Sequence, residues 1–131
     1  MIKKKTSKLI RLSKKNNFTL SVAESCTGGL LSSSIIQESG ASNFFHMGFI
    51  TYSNTAKINI LSVNPNIIKK YGAVSEETAL EMVKGVYKKT KSDLSISITG
   101  VAGPKGGTKI NPMGTVCFGI GINCKGKPII Y

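Results

Sequence analysis

The segment Val22-Ala23-Glu24-Ser25-Cys26-Thr27-Gly28-Gly29 joins a short β-rich run to a stretch of helical composition, and it constrains the fold more than any other part of the chain. Thr19 to Ala23 reads as a strand and Thr27 to Glu38 as a helix, with Gly40 as its stop. A strand that turns directly into a helix is the unit of layered α/β folds, and the rest of the chain repeats the alternation. Met47 to Ser53 reads as a second strand, Asn54 to Leu61 as a short helix, and Pro65 opens another helical turn or a tight loop. Ser75 caps the clearest helix. Glu76 and Glu77 lie in its first turn, Lys88, Lys89 and Lys91 lie near its end, and Ala79, Leu80, Val83, Val86 and Tyr87 mark its buried stripe. Leu94 to Thr99 and Thr115 to Ile122 are further strands, rich in β-branched and aromatic residues. The expected fold is a three-layer α/β/α sandwich with a mainly parallel or mixed sheet. These motifs do not set the strand order.

With 131 residues, the expectation is a single domain over 1–131 with one core. No apolar run approaches the 18 residues of a membrane span, and the basic start from Met1 to Lys15 lacks the apolar stretch of a signal peptide. The cysteines Cys26, Cys117 and Cys124 form neither an even disulfide framework nor a CxxC metal pattern, so a cytoplasmic setting is expected, with no membrane partner. The formal charge of +12 favours anionic partners without choosing among them. Lys3, Lys4, Lys5, Lys8, Arg11, Lys14 and Lys15 crowd the first fifteen positions with no acid among them. They fit a nucleic-acid arm or, the favoured reading, a solvated helix face with Ile2, Leu9 and Leu12 turned inward. Elsewhere lysine is spread out, without the aromatic interleaving of a single-strand binding platform.

Ser25 and Cys26 are two nucleophile candidates at a junction whose backbone N–H groups could face a developing negative charge. His46 is the only histidine and Asp93 the only aspartate, at the edge of a lysine-rich helix end, so a Ser-His-Asp triad is not expected. Tyr52-Ser53-Asn54-Thr55-Ala56-Lys57 offers another arrangement. If Lys57 is desolvated beside Ser25, its neutral amine could take the serine proton; otherwise it is a surface lysine. The loop Thr99-Gly100-Val101-Ala102-Gly103-Pro104-Lys105-Gly106-Gly107-Thr108 starts at a strand end and is neither a Walker A loop nor GxGxxG. Its glycines would let backbone N–H groups approach a phosphate or carboxylate, or they simply permit a flexible turn.

Five stretches in order, Val22 to Gly29, Tyr52 to Lys57, Gly72 to Ala79, Thr99 to Pro104 and Pro112 to Val116, resemble the CinA C-terminal domain family, which includes nicotinamide-nucleotide amidohydrolases. The resemblance implies hydrolysis of nicotinamide mononucleotide to nicotinate mononucleotide and ammonia, without metal or redox cofactor. By motif match it implies Ser25 as nucleophile, Lys57 as general base and Tyr52 as an assisting hydroxyl. Substrate contacts would come from Cys26, Thr27 and Gly28, and from Thr99, Gly100, Gly103, Gly106 and Gly107 near the nucleotide. It also implies a homo-oligomer and a further segment past the last common strand, which a chain ending at Tyr131 would lack. Lys105 stands where the family commonly has an acid, and Cys117 where it often has a bulky aromatic. The alternative is a noncatalytic nucleotide-binding or interaction module of the same family.

Overall fold

A computed structural model of the chain describes residues 2–131. Five strands form one mixed sheet in the order β2-β1-β3-β4-β5: β1 (Leu20–Glu24), β2 (Phe45–Ile50), β3 (Leu94–Gly100), β4 (Val116–Cys124) and β5 (Lys127–Ile130). β1 is parallel to both of its neighbours, β2 and β3, whereas β3–β4 and β4–β5 are antiparallel. Helices cover both faces, giving the three layers expected from the alternation of elements.

The two-residue period of β1 divides the core. Leu20 and Val22 pack with Ile10 of α1 (Ile2–Asn16) and Ile35 of α2 (Leu30–Ile36) on one face. Ala23 meets the other layer, where Leu61 of α3 (Asn54–Leu61), Val63, and Met82 and Val86 of α5 (Glu76–Thr90) pack together, with Ile68 of α4 (Pro65–Tyr71) at the margin. Ser75 caps α5 by accepting from Thr78 N–H at 3.1 Å. The helix buries Ala79, Val83, Val86 and Tyr87 as its periodicity predicts, and also Thr78, Met82 and Gly85, whereas Leu80, expected in the same stripe, is only half-buried. It lies close against the sheet: Ser97 Oγ donates to Ala79 O at 2.6 Å, and a Cβ on Gly119 would come within 2.6 Å of that carbonyl.

Several boundaries differ from the sequence reading. α2 begins at Leu30 and not Thr27, because Gly28 and Gly29 take φ of 57° and 101° and spend the intervening residues on a turn. β2 starts and ends earlier, at Phe45 and Ile50, where its pairing with β1 runs from Leu20 to Glu24. β5 is an added edge strand, reached through a two-residue turn in which Lys125 and Gly126 have φ of 52° and 83°. On α1 the inward residues are Thr6, Ile10 and Ser13, with Leu9 half-buried, while Leu12 is 43% exposed; the Ile2 side chain lies outside the described ones. Positions 6, 10 and 13 share one side of a helix from which position 12 points away. Thr6 and Ser13 tolerate burial because their hydroxyls donate to the carbonyls of Lys3 and Ile10, at 2.9 and 2.8 Å.

Candidate active site

The end of β1 is where the chemistry-bearing residues gather. Glu24 and Ser25 are locked by both neighbours, since Thr51 N–H donates to Glu24 O at 2.8 Å and Ser25 N–H to Ile98 O at 2.9 Å. Ser25 thus sits buried at the carboxyl end of a central parallel strand, where open α/β sheets place ligands. The other arm is α3, whose first turn is fixed by Ser53 Oγ accepting from Ala56 N–H at 3.0 Å. This start places Lys57 on the helix side facing the end of β1, and its side chain is only 1% exposed.

Lys57 Nζ lies 3.0 Å from Ser25 Oγ, 3.0 Å from Thr51 O and 3.4 Å from Tyr52 O. Among the described residues the one ion pair is Lys84–Glu81, so no carboxylate balances Lys57. Burial lowers its pKa from the ordinary 10.5, a shift that the Cys26 thiol opposes but does not cancel. All three oxygens accept from Nζ, and Ser25 Oγ in turn reaches Tyr52 O at 3.5 Å. Once Nζ gives up a proton, two N–H bonds suffice for the two carbonyls and the lone pair is free to face the serine hydroxyl.

Glu24 is the residue whose part the sequence reading missed. Its carboxylate, 0% exposed, turns away from Lys57 toward α2 and accepts from Leu31 N–H at 3.0 Å, from Ser32 N–H at 2.8 Å and from Ser32 Oγ at 2.7 Å. Burial acts to raise its pKa, but hydrogen bonding from Thr27, Ser32 and Leu31 outweighs this and holds it below the ordinary carboxylate value. The Thr27 hydroxyl leans toward this carboxylate without closing a bond of full geometry. The remaining turn amides can be traced. Gly28 N–H donates to Ser25 O at 3.1 Å and Leu30 N–H to Thr27 O at 3.0 Å. The N–H groups of Cys26 and Thr27 instead face the Cys26 sulfur, where they partly offset the burial that pushes this thiol's pKa up.

A cleft of about 330 Å³ opens over Ser25 and Lys57, lined by Cys26, Tyr52 and Asn54, by Ala73 and Val74, and by the loop after β3. Thr99, Gly100, Gly103 and Gly106 line it, with Lys105, and no acidic side chain does. Thr99 is buried with its hydroxyl donating to Ala73 O at 2.7 Å, tying the two walls together. Gly100 leaves room for the nucleophile turn, since a Cβ there would lie 2.6 Å from Thr115 O and 2.9 Å from Cys26 Sγ. The Tyr52 side chain is 72% exposed at the mouth, while its carbonyl makes the contact with Lys57. Thr27, Gly28 and Gly107 do not line the cleft; Gly107 instead packs against Met113, whose N would be 2.8 Å from an added Cβ. His46 and Asp93 lie at the far end of the sheet, beside Leu20 and before Leu94, and Asp93 accepts from Thr19 N–H and Oγ1 at 2.8 Å each.

Residues 2–128 match the model of the family described as CinA C-terminal domain. The chain is 49% identical over 114 residues to a CinA-like protein of Chloroherpeton thalassium, covering 87% of this chain and 27% of the relative. A putative competence-damage inducible protein of Clostridium novyi is 53% identical over 105 residues, covering 80% and 25%. The chain therefore spans about a quarter of the length of these curated relatives. Among solved structures, a competence or damage-inducible protein from Enterobacter asburiae superposes with a TM-score of 0.90 at 36% identity, covering 100% of this chain and 81% of that one. A CinA superfamily protein from Escherichia coli gives 0.87 at 37%, covering 100% and 75%.

Proposed function

The chain belongs to the CinA C-terminal domain family, and we propose that it is an amidohydrolase converting nicotinamide mononucleotide to nicotinate mononucleotide and ammonia, with Ser25 as nucleophile and Lys57 as general base. The observation that carries this reading is the 3.0 Å contact between a buried, uncompensated Lys57 Nζ and Ser25 Oγ. A carboxamide carbon is a weak electrophile, so the attacking hydroxyl has to be deprotonated and the resulting oxyanion held.

In the proposed sequence, Ser25 Oγ attacks the carboxamide carbon while its proton passes to the lone pair of Lys57. The tetrahedral oxyanion is held by backbone N–H of the turn, first that of Cys26, which lines the cleft and would turn from its own sulfur to the oxyanion. Lys57 then returns the proton to the amide nitrogen as the C–N bond breaks, releasing ammonia and leaving an ester on Ser25. A water molecule deprotonated by Lys57 attacks that ester, giving nicotinate mononucleotide and restoring the hydroxyl. Tyr52 at the mouth is the assisting hydroxyl, and the loop from Thr99 to Gly106 faces the nucleotide, with Lys105 supplying positive charge for its phosphate.

This reading includes a single domain over residues 1–131 and a cytoplasmic setting. It also includes self-association, supported by the apolar face that β4 exposes away from α5, with Val116, Phe118, Ile120 and Ile122. No described helix is long and apolar enough to cross a membrane. The test is incubation with nicotinamide mononucleotide and measurement of both products beside a Ser25→Ala control. Products above the control support the amidohydrolase; binding without products replaces it with a noncatalytic nucleotide-binding module.

A further inference from the structure

We infer that Glu24 is a positioning residue for the nucleophile turn: its buried carboxylate clamps the start of α2 to the end of β1, fixing where Ser25 and the Cys26 and Thr27 N–H groups point. The inference rests on the proposed role of Ser25. A clamp at this point has a specific geometric effect. The turn from Ser25 to Gly29 hangs between a strand end fixed by Thr51 N–H and Ile98 O and a helix whose Leu31 and Ser32 N–H groups end on Glu24. Gly28 and Gly29, both with positive φ, give the turn freedom that the backbone alone does not remove. The carboxylate removes it, because one residue of β1 holds two successive amides and a hydroxyl of α2 at 2.7 to 3.0 Å.

The clamp also assigns the anion-binding role within the turn. Leu31 and Ser32 present their N–H groups at the start of α2, the usual place for a helix to receive an anion. Glu24 already occupies them, so an oxyanion on the Ser25 side has to be met from the turn itself, where Cys26 is the residue after Ser25 that lines the cleft. The negative charge of Glu24 stays on the opposite side of the strand, where it does not form an ion pair with Lys57.

Glu24→Gln keeps size and shape but turns one acceptor oxygen into an NH2 group facing either the Leu31 or the Ser32 amide, donor against donor. The expected result is a kcat lower by about tenfold or more with KM changed by less than about threefold, since a misplaced nucleophile turn affects the transition state more than binding. Faster amide hydrogen exchange at residues 26–28, in a variant that still melts cooperatively, is expected alongside. Labelling of Ser25 by a fluorophosphonate probe, which requires no knowledge of the substrate, is expected to slow in parallel, and Ser32→Ala should produce a smaller change in the same direction. Unchanged exchange and labelling rates in Glu24→Gln would overturn the inference, as would a kcat loss equal to the unfolded fraction. If the parent chain is labelled at Ser25 but does not hydrolyse nicotinamide mononucleotide, the substrate assignment fails and labelling still decides the role of Glu24. If Glu24→Gln does not fold, Ser32→Ala decides on the same readouts. If Ser25 of the parent is neither labelled nor needed for turnover, there is no nucleophile to position and the inference falls.

Discussion

Lys57 Nζ stands 3.0 Å from Ser25 Oγ in a site that gives the lysine neutral oxygen partners and almost no solvent. Burying an amine in this way is costly if the amine is charged and much less so if it is neutral. The proton that burial makes easier to lose is the one whose departure leaves a lone pair at the serine. Stability and reactivity are therefore linked through a single proton.

The link predicts how both quantities depend on pH. The pKa of Lys57 is lowered in the folded chain from 10.5, so between the folded and unfolded values the unfolded chain binds more protons. Stability from this group therefore rises as pH climbs through that window and is lost as pH falls below the folded value. Amidase activity should rise through the same folded value as the base is freed. Denaturant melts of the parent and Lys57→Met at several alkaline pH values should show stability rising more steeply with pH in the parent, the difference between the two being the Lys57 contribution. Lys57→Met should also lose about 10²- to 10⁴-fold in kcat, the usual contribution of a general base. A variant that retains the whole of the parent's slope would assign it to another group.

Cys26 and Ser25 can be separated by substitution. The Cys26 thiol has its pKa pushed up by burial, which reduces its thiolate fraction. Cys26→Ser should retain activity within about tenfold, whereas Ser25→Ala should lose about 10³-fold or more, as expected for a covalent nucleophile. The reverse ranking in matched kinetic assays would transfer the nucleophile role to Cys26.

The parts of the fold legible in the sequence are those governed by local chemistry. Asn54–Leu61 follows from its serine cap and α5 from Ser75, its acidic first turn and its apolar stripe. The missed features depend on contacts between distant segments. Glu24 reads as a polar residue closing a strand, and only the folded turn brings it to Leu31 and Ser32. The inward face of α1 is not legible from apolar periodicity, because two of its buried positions are Thr6 and Ser13, whose hydroxyls are satisfied within their own helix. The approach of Lys57 to Ser25 spans 32 residues and depends on β1 pairing with β2, which neither segment encodes alone, so the residues by themselves leave a base and a surface lysine both open.

The β4 face makes self-association measurable. Phe118 is 58% exposed, and its neighbours Val116, Ile120 and Ile122 on the same side of the strand are also exposed. Light scattering should give a mass above the 14.0 kDa monomer, and Phe118→Lys should lower it by placing charge in the apolar face. A 14.0 kDa species across a wide concentration range would reject this outcome.

Gly85 offers a test of how the helical layer sets the site from a distance. α5 crosses α3 so closely that a Cβ on Gly85 would overlap the Leu61 carbonyl. Leu61 ends the helix whose fourth residue is Lys57, so a methyl group there has to push α3 off α5 or distort its last turn. Gly85→Ala should gain helix propensity yet lose about 1–3 kcal/mol of stability through overpacking. Displacement of α3 should also lengthen the contact between Lys57 and Ser25. Fluorophosphonate labelling of Ser25, measured well below the melting temperature so that the variant stays folded, should therefore slow. Slower labelling with an intact fold would make the α3–α5 crossing a determinant of nucleophile activation. A loss of stability with labelling at the parent rate would mean that α3 yields at its Leu61 end and leaves Lys57 in place.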